Sequence, residues 1–285
     1  MKVELKAYAK INLGLDVLRK REDGYHEVKM IMQTVDLYDK LILEKIDEDR
    51  IELSTNIESL ESDERNLVYR AIKLIKDRYN IRDGVVARLE KNIPIAAGMA
   101  GGSTDCAAAL KGMNRLFDLK ISDEELKKLG KTLGADVPYC IMGGTALAEG
   151  IGEKLTPLNK IAGDYVVIAK PNIAVSTKYV YENLDLSENA NHPNIDRMVD
   201  YIERKDKESL FNCMGNILES VTEKKYNVIA EIKTFLNDKG AVNSLMSGSG
   251  PTVFAIFDNE KTAQLACNEI KKQYDLDIAK VVTLV

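Results

Sequence analysis

The stretch over residues 92–105, Asn-Ile-Pro-Ile-Ala-Ala-Gly-Met-Ala-Gly-Gly-Ser-Thr-Asp, runs straight into a helix-forming Cys-Ala-Ala-Ala-Leu-Lys at 106–111. Few backbones accept that order of residues. Gly98, Gly101 and Gly102 let N–H groups reach a ligand with no Cβ in the way, and Ser103 or Thr104 can cap the helix that opens behind them. A helix N-terminus gathers unpaired N–H donors and partial positive charge, so an anion is favoured there. An ordinary loop-to-helix junction can carry the same glycines, so both readings stay open until the flanking chain is considered. A helix is predicted from Ser103 or Thr104 towards Phe117, with Asp105 in its first turn, where the dipole favours a carboxylate.

The N-terminal flank is strand-like. From residue 3 to 17 every odd position is apolar, which predicts a long half-buried strand or hairpin arm. Lys10 and Asn12 then share the face turned away from the core and are free to reach a ligand, a solvated strand face being the alternative. An Asp-Gly turn at 23–24 precedes Tyr25 and His26, which form either a recognition tip or ordinary packed and surface residues. Residues 28–43 read as strand, turn at 38–40 and strand, with another short strand at 50–54. The period changes after Asn66: Leu67, Ala71, Ile75 and Tyr79 fall four apart and predict a helix over 66–79. Period two returns at 85–89, so the glycine-rich loop lies between a strand and a helix, the setting in which such a loop holds phosphate.

Ser122-Asp-Glu-Glu125 is a capping box for a helix ending at Gly134. Asp136 follows, held between that glycine and Pro138, where a carboxylate can serve as a base, a metal ligand or a turn stabiliser. A glycine-punctuated hairpin at 143–152 and a linker at 157–163 close a first domain, 1–158. The second, 164–285, opens with a strand at 165–169 and a short helix capped by Ser176 and reaching Tyr181. A polar loop at 187–194 leads to helices at 195–203, 207–221 and 226–236. Strands at 241–246 and 252–257 are linked by Ser247-Gly-Ser-Gly-Pro251, a turn able to approach the first loop. A helix at 260–274 and a strand at 278–285 complete an α+β layer.

Composition narrows the partners. A chain of 285 residues, 45% hydrophobic and 30% charged, buries a sizeable core and divides into two domains. The net charge of −5, with no run of four Lys or Arg, argues against nucleic acid and for a small ligand. Four scattered cysteines form neither a zinc pattern nor a disulfide scaffold. No signal peptide and no membrane span is evident, so no membrane partner is expected and the expected compartment is the cytoplasm. Walker, dinucleotide-binding, zincin and Gly-x-Ser-x-Gly signatures are missing.

Lys10-Ile-Asn-Leu-Gly-Leu15, Pro94-x-x-x-Gly-x-x-Gly-Gly-Ser103 and Ser247-Gly-Ser-Gly-Pro-Thr-Val-Phe254 together resemble the three ordered motifs of the GHMP kinases, the small-molecule kinases that include galactokinase, homoserine kinase and mevalonate kinase. Within that superfamily, Ala9-Lys-Ile-Asn-Leu13, Asp23-Gly-Tyr-His-Glu27, Asn66-Leu-Val68 and Gly134-Ala-Asp-Val-Pro138 are similar to the branch that acts on a cytidylated methylerythritol alcohol in non-mevalonate isoprenoid synthesis. The resemblance runs from Ala7 to about Phe257 and is weakest over 187–239. It implies a two-domain α+β fold, with an N-terminal domain like the second domain of ribosomal protein S5, a ferredoxin-like C-terminal domain, and ATP and substrate in the cleft between them.

The same resemblance implies that the γ-phosphate of ATP passes to the acceptor's 2-hydroxyl. Asp136 would accept the hydroxyl proton, and Lys10 would orient it and offset phosphoryl charge, a division of labour that suits a reaction needing position and electrostatics. Asn66, Pro94, Ala96, Ala97, Gly98, Met99, Ala100, Gly101, Gly102, Ser103 and Thr104 would bind ATP. Asn12, Tyr25, His26, Thr177, Tyr181, Ser247 and Gly248 would hold the substrate, with tyrosine rings stacking on cytosine. Mg2+ is expected with ATP, its protein ligands left open apart from the Ser103 hydroxyl. A monomer or weak homodimer is expected. Ala96, Ala97 and Ala100 stand where relatives frequently have glycine. All three are expected at negative φ, leaving the conformational freedom to Gly98, Gly101 and Gly102.

Overall fold

The computed structural model describes residues 1–187 and 190–285. The chain begins with two long strands, β1 (Lys2–Lys20) and β2 (His26–Ile46), and a short one, β3 (Ile51–Thr55). α1 (Leu67–Tyr79), β4 (Gly84–Glu90), α2 (Gly101–Leu116), α3 (Asp123–Lys131) and α4 (Val137–Met142) follow. Next come β5 (Thr145–Gly150), β6 (Lys154–Pro157), β7 (Tyr165–Pro171), α5 (Thr177–Glu182), α6 (Ile195–Glu203) and α7 (Lys207–Asn212). The chain ends with β8 (Gly215–Asn216), α8 (Glu219–Lys225), α9 (Val228–Asp238), β9 (Asn243–Met246), β10 (Val253–Phe257), α10 (Glu260–Gln273) and β11 (Leu276–Thr283).

Compactness divides these elements into two units that no single cut along the chain separates, since β1 and β2 take part in both. The first unit comprises residues 1–9, 37–95 and 100–143. In it β4 pairs antiparallel with the second half of β2 and parallel with β3. α1 starts where the Asn66 side chain accepts from Val68 N–H, and it ends at Asn80, a residue that tolerates the left-handed φ of 52° found there. Its stripe of Val68, Ala71, Ile72 and Ile75 packs into a core with Leu41, Leu43, Val85, Cys106, Leu110 and Met113. Each large aliphatic side chain so buried contributes about 1.5–3 kcal/mol. Gly112 lets α2 lie close: a Cβ there would stand 2.6 Å from Leu43 Cδ1 and 2.9 Å from Leu5 Cδ1.

The second unit comprises residues 10–36, 96–99 and 144–285. Here β2 pairs with β5, β5 with β6, and β1 runs parallel to β8 at Gly14 and Leu15. A separate antiparallel sheet has the order β11-β7-β10-β9, or 4-1-3-2 by position along this part of the chain, with α9 and α10 packed on it. That is the ferredoxin-like arrangement expected. Among the described residues no helix is long and apolar enough to cross a membrane.

Three local expectations are corrected. β2 is continuous through 38–40, because Asp39 is buried and takes backbone donors rather than turning the chain. The helix expected over 207–221 is interrupted at β8, where Gly215 and Asn216 add to the edge of β1. α3 ends at Lys131, before Gly134. The polar loop at 187–194 is described except at residues 188 and 189, which lie outside the described residues.

Candidate active site

The loop before α2 is built on left-handed backbone. Ala96, Gly98 and Ala100 have φ of 51°, 72° and 57°. The expectation of negative φ is therefore wrong at Ala96 and Ala100, while Ala97 is not among the positive-φ residues. An L-residue in this region costs about 1–2 kcal/mol, so tethers must hold it. Several are present. Lys10 N–H donates to Met99 O at 3.2 Å, and the Gly98 carbonyl accepts from Lys10 Nζ at 3.2 Å and Ser247 Oγ at 2.9 Å. Alternating backbone handedness turns successive N–H groups towards one side, a concavity that suits an anion.

Gly98 is required twice over, by its φ and because a Cβ would lie 2.1 Å from Ser247 O. Gly101 and Gly102 are helical instead, and a Cβ on Gly102 would meet nothing closer than 3.7 Å. α2 thus begins earlier than expected. Its N-cap, Ala100, offers no side-chain acceptor, and Thr104 Oγ1, expected as a cap, donates to Tyr8 O at 2.7 Å. Thr104 N–H donates to Ala100 O at 2.9 Å, while the N–H groups of Gly101, Gly102 and Ser103 have no intrahelical partner and no side-chain cap, which leaves them to an anion. Asp105 is not a first-turn acid either: it is buried against Lys91. Pro94 is half-buried ahead of the loop, and the Asn66 amide is occupied by Val68 N–H and Glu61 O.

From Lys10 to Asp16 the even face of β1 is not open as expected, since Lys10, Asn12 and Asp16 are all buried. Lys10 Nζ donates to Asn12 Oδ1 at 2.7 Å, and Asn12 Nδ2 lies 3.3 Å from Met30 Sδ. Residues 96–99 and 247–250 cover that face. Ser247 is fully buried, and Gly248, with φ of 57°, has its carbonyl held by Asn216 Nδ2 at 2.7 Å. Asn216 also takes up Met246 O, a brace that sequence reasoning missed because the residue fell inside a predicted helix.

Tyr25 is 60% exposed at the tip after β1. Beside it the His26 ring lies 5.0 Å from the Tyr181 ring, tilted by 43°. Burial holds the His26 imidazole below its ordinary pKa and the Lys20 charge adds to the fall, so the ring is neutral at pH 7, with one donor and one acceptor. Thr177 and Ser249 share a hydrogen bond of 2.8 Å between their hydroxyls. In the first unit, Asp136 is the half-buried N-cap of α4, with φ −81° and ψ −13°, and its carboxylate makes no cap bond. A Cβ on Gly134 would come 3.8 Å from Ser103 Oγ, so the first turn of α2 and the Asp136 turn are neighbours. Among the described residues no cluster of three or more His, Cys, Asp or Glu could hold a metal ion.

An α+β fold with this loop and these braces is that of the GHMP kinases. The family model for the GHMP kinases N terminal domain matches residues 66–144, and that for the GHMP kinases C terminal domain matches 198–276. Over 269 residues the chain is 56% identical to the 4-diphosphocytidyl-2-C-methyl-D-erythritol kinase of Lachnoclostridium phytofermentans, covering 94% of this chain and 92% of that one. It is 51% identical over 281 residues to the enzyme of that name from Clostridium beijerinckii, covering 98% and 100%. A crystal structure of 4-(cytidine 5'-diphospho)-2C-methyl-D-erythritol kinase, 30% identical, matches with a TM-score of 0.84 over 99% of both chains. Homoserine kinase from Cytophaga hutchinsonii, 22% identical, shares the fold with a TM-score of 0.80 over 100% of this chain and 94% of that one. The chain belongs to the 4-diphosphocytidyl-2-C-methyl-D-erythritol kinase family of GHMP kinases.

Proposed function

We propose that this enzyme transfers the γ-phosphate of ATP to the 2-hydroxyl of 4-diphosphocytidyl-2-C-methyl-D-erythritol in the methylerythritol phosphate route to isoprenoids. The observation that carries the reading is the uncapped N-terminus of α2 behind a loop of alternating left-handed residues, which offers N–H donors to a polyphosphate without a Walker lysine. The 56% identity to an enzyme of that name supports the choice of acceptor.

In this reading residues 94–104 hold the triphosphate and Asn66 shapes the nucleotide end. Asp136 accepts the proton as the hydroxyl oxygen attacks Pγ, the bond from Pγ to the β-bridging oxygen breaks, and ADP leaves. Lys10 offsets charge on the transferring group, while Asn12 and Thr177 orient the acceptor alcohol. Tyr25 and Tyr181 sandwich cytosine, whose edge pairs with neutral His26; Ser247 and Gly248 support the loop and the reacting end. Mg2+ enters with ATP and neutralises phosphate charge, with the Ser103 hydroxyl as its contact on the chain. Residues 1–158 form the kinase domain and 164–285 the C-terminal α+β domain, the two family matches falling on either side of that division. The enzyme works as a cytoplasmic monomer or weak homodimer, where both nucleotide substrates are available.

One assay tests the reading: purified protein, ATP and magnesium with a panel of acceptor alcohols, followed by ADP release. Turnover is expected on the cytidylated methylerythritol. Equal rates on mevalonate or homoserine with none on the cytidyl compound would overturn it.

A further inference from the structure

Beneath the start of α2 lie three ionisable side chains that solvent hardly reaches. Lys91, just after β4, is 3% exposed; Asp39 of β2 and Asp105 of α2 are 0% and 4% exposed. The Lys91 ammonium contacts Asp39 Oδ2 and donates to Asp105 Oδ2 at 2.6 Å. Asp39 Oδ1 accepts from the backbone N–H groups of Asn92 and Ile93 at 2.5 and 2.7 Å. Asn56 grips the Lys91 backbone from the other side, its Oδ1 accepting from Lys91 N–H and its Nδ2 donating to Lys91 O. A Cβ on Gly101 would come within 3.2 Å of Lys91 Nζ, so the ammonium lies directly under the first residue of α2.

Stability does not explain this group. Burying a lysine and two carboxyl groups costs desolvation that apolar side chains of similar volume would avoid, and Asp105 Oδ1 is left buried with no hydrogen-bond partner. Its contacts have a common address instead: Asp39 holds the backbone entering the loop, Asp105 belongs to the helix leaving it, and Lys91 joins the two. Burial pushes the Asp105 carboxyl up to about 8, against the pull of Lys91 and with the help of Asp39.

We propose that Lys91, Asp39 and Asp105 are positioning residues for ATP, a buried clamp that fixes both ends of the loop and so the N–H array of α2. The proposal rests on the reading of that array as the triphosphate seat. Its test uses the full chain. Lys91→Met keeps the side-chain length and removes the charge that joins the two carboxylates. Without ligand, hydrogen exchange of the amides at 92–104 is expected to accelerate at least about tenfold. The KM for ATP should rise by at least about tenfold while the KM for the acceptor alcohol stays within about twofold. Exchange and ATP KM like the wild type would overturn the clamp, and so would a uniform rise in exchange across the first unit with both KM values moving together. If Lys91→Met does not accumulate as folded protein, Asp39→Asn, which keeps Oδ1 for Asn92 and Ile93 but loses the attraction to Lys91, is read against the same outcomes. Added ATP should slow exchange at 101–103 in the wild type; if it does not, the triphosphate seat is misassigned, and the ligand-free exchange of the variants still decides the clamp.

Discussion

Asp136 is assigned the proton transfer, and its replacement separates chemistry from binding. Asp136→Asn keeps the shape and removes the acceptor, so turnover should fall by about 10²–10⁴ while ATP affinity changes by no more than about threefold; unchanged turnover would remove Asp136 as the base. The alanines of the loop give a second contrast. Ala100 has φ of 57°, so glycine there relieves about 1–2 kcal/mol of backbone strain and offsets its own greater loss of freedom on folding. Thermal melts should show Ala100→Gly no less stable than the parent, and Ala97→Gly less stable by about 0.5–1 kcal/mol. Asp105 adds a pH dependence. Its folded carboxyl titrates at about 8 against an ordinary 3.8, so between those values the native state holds a proton that the unfolded chain has released. Its contribution to stability therefore declines as pH rises from about 4 to about 8 and is level above that. Asp105→Asn lacks the titration, and its urea midpoint should gain on the wild type between pH 5 and pH 8.5; a constant difference would argue against the shift.

At the scale of elements, Gly112 sets how closely α2 lies on the sheet. Gly112→Val would press an isopropyl group into the space of Leu43 and Leu5 and should lower stability by about 1–3 kcal/mol, read from the urea midpoint. Such features divide what was legible in the sequence from what was not. α1, α6 and α10 emerge from apolar spacing and caps because their stripes face one core and their N-caps, Asn66, Asn194 and Asn259, are local. β2 and β8 do not: Tyr38-Asp39-Lys40 resembles a turn until Asp39 is seen to satisfy the backbone of a segment 53 residues away. The loop's glycines flagged an anion seat, yet the left-handed places at 96 and 100 went to alanine. Their strain is met by tethers from Lys10 and Ser247, which sequence spacing does not reveal. The open face expected for Lys10 failed for the same reason, since what covers it comes from distant positions. Neither Lys91, one of several charges at 88–91, nor Asp39 carried a usable signal.

For the molecule as a whole, ligand binding and folding share one free-energy scale. At 100 times its dissociation constant ATP should stabilise the native state by about 2.7 kcal/mol, or about 5–10 °C of melting temperature for a chain of this size. Gly98→Ala should abolish that shift, because its Cβ would occupy the position of the Ser247 carbonyl; a full shift in the variant would detach the loop from ATP binding. The chain's net charge of −5 repels both proposed ligands, so their capture falls to the backbone array and not to the overall field. The Gly98 carbonyl adds a different kind of consequence. It joins Lys10 and Ser247 across 88 and 149 positions of sequence. An oxygen of the main chain has no codon, so mutation can reach this junction only through its two donors or by distorting the turn that presents it. The part of the loop on which three distant segments depend is thereby also the part that genetic drift cannot delete.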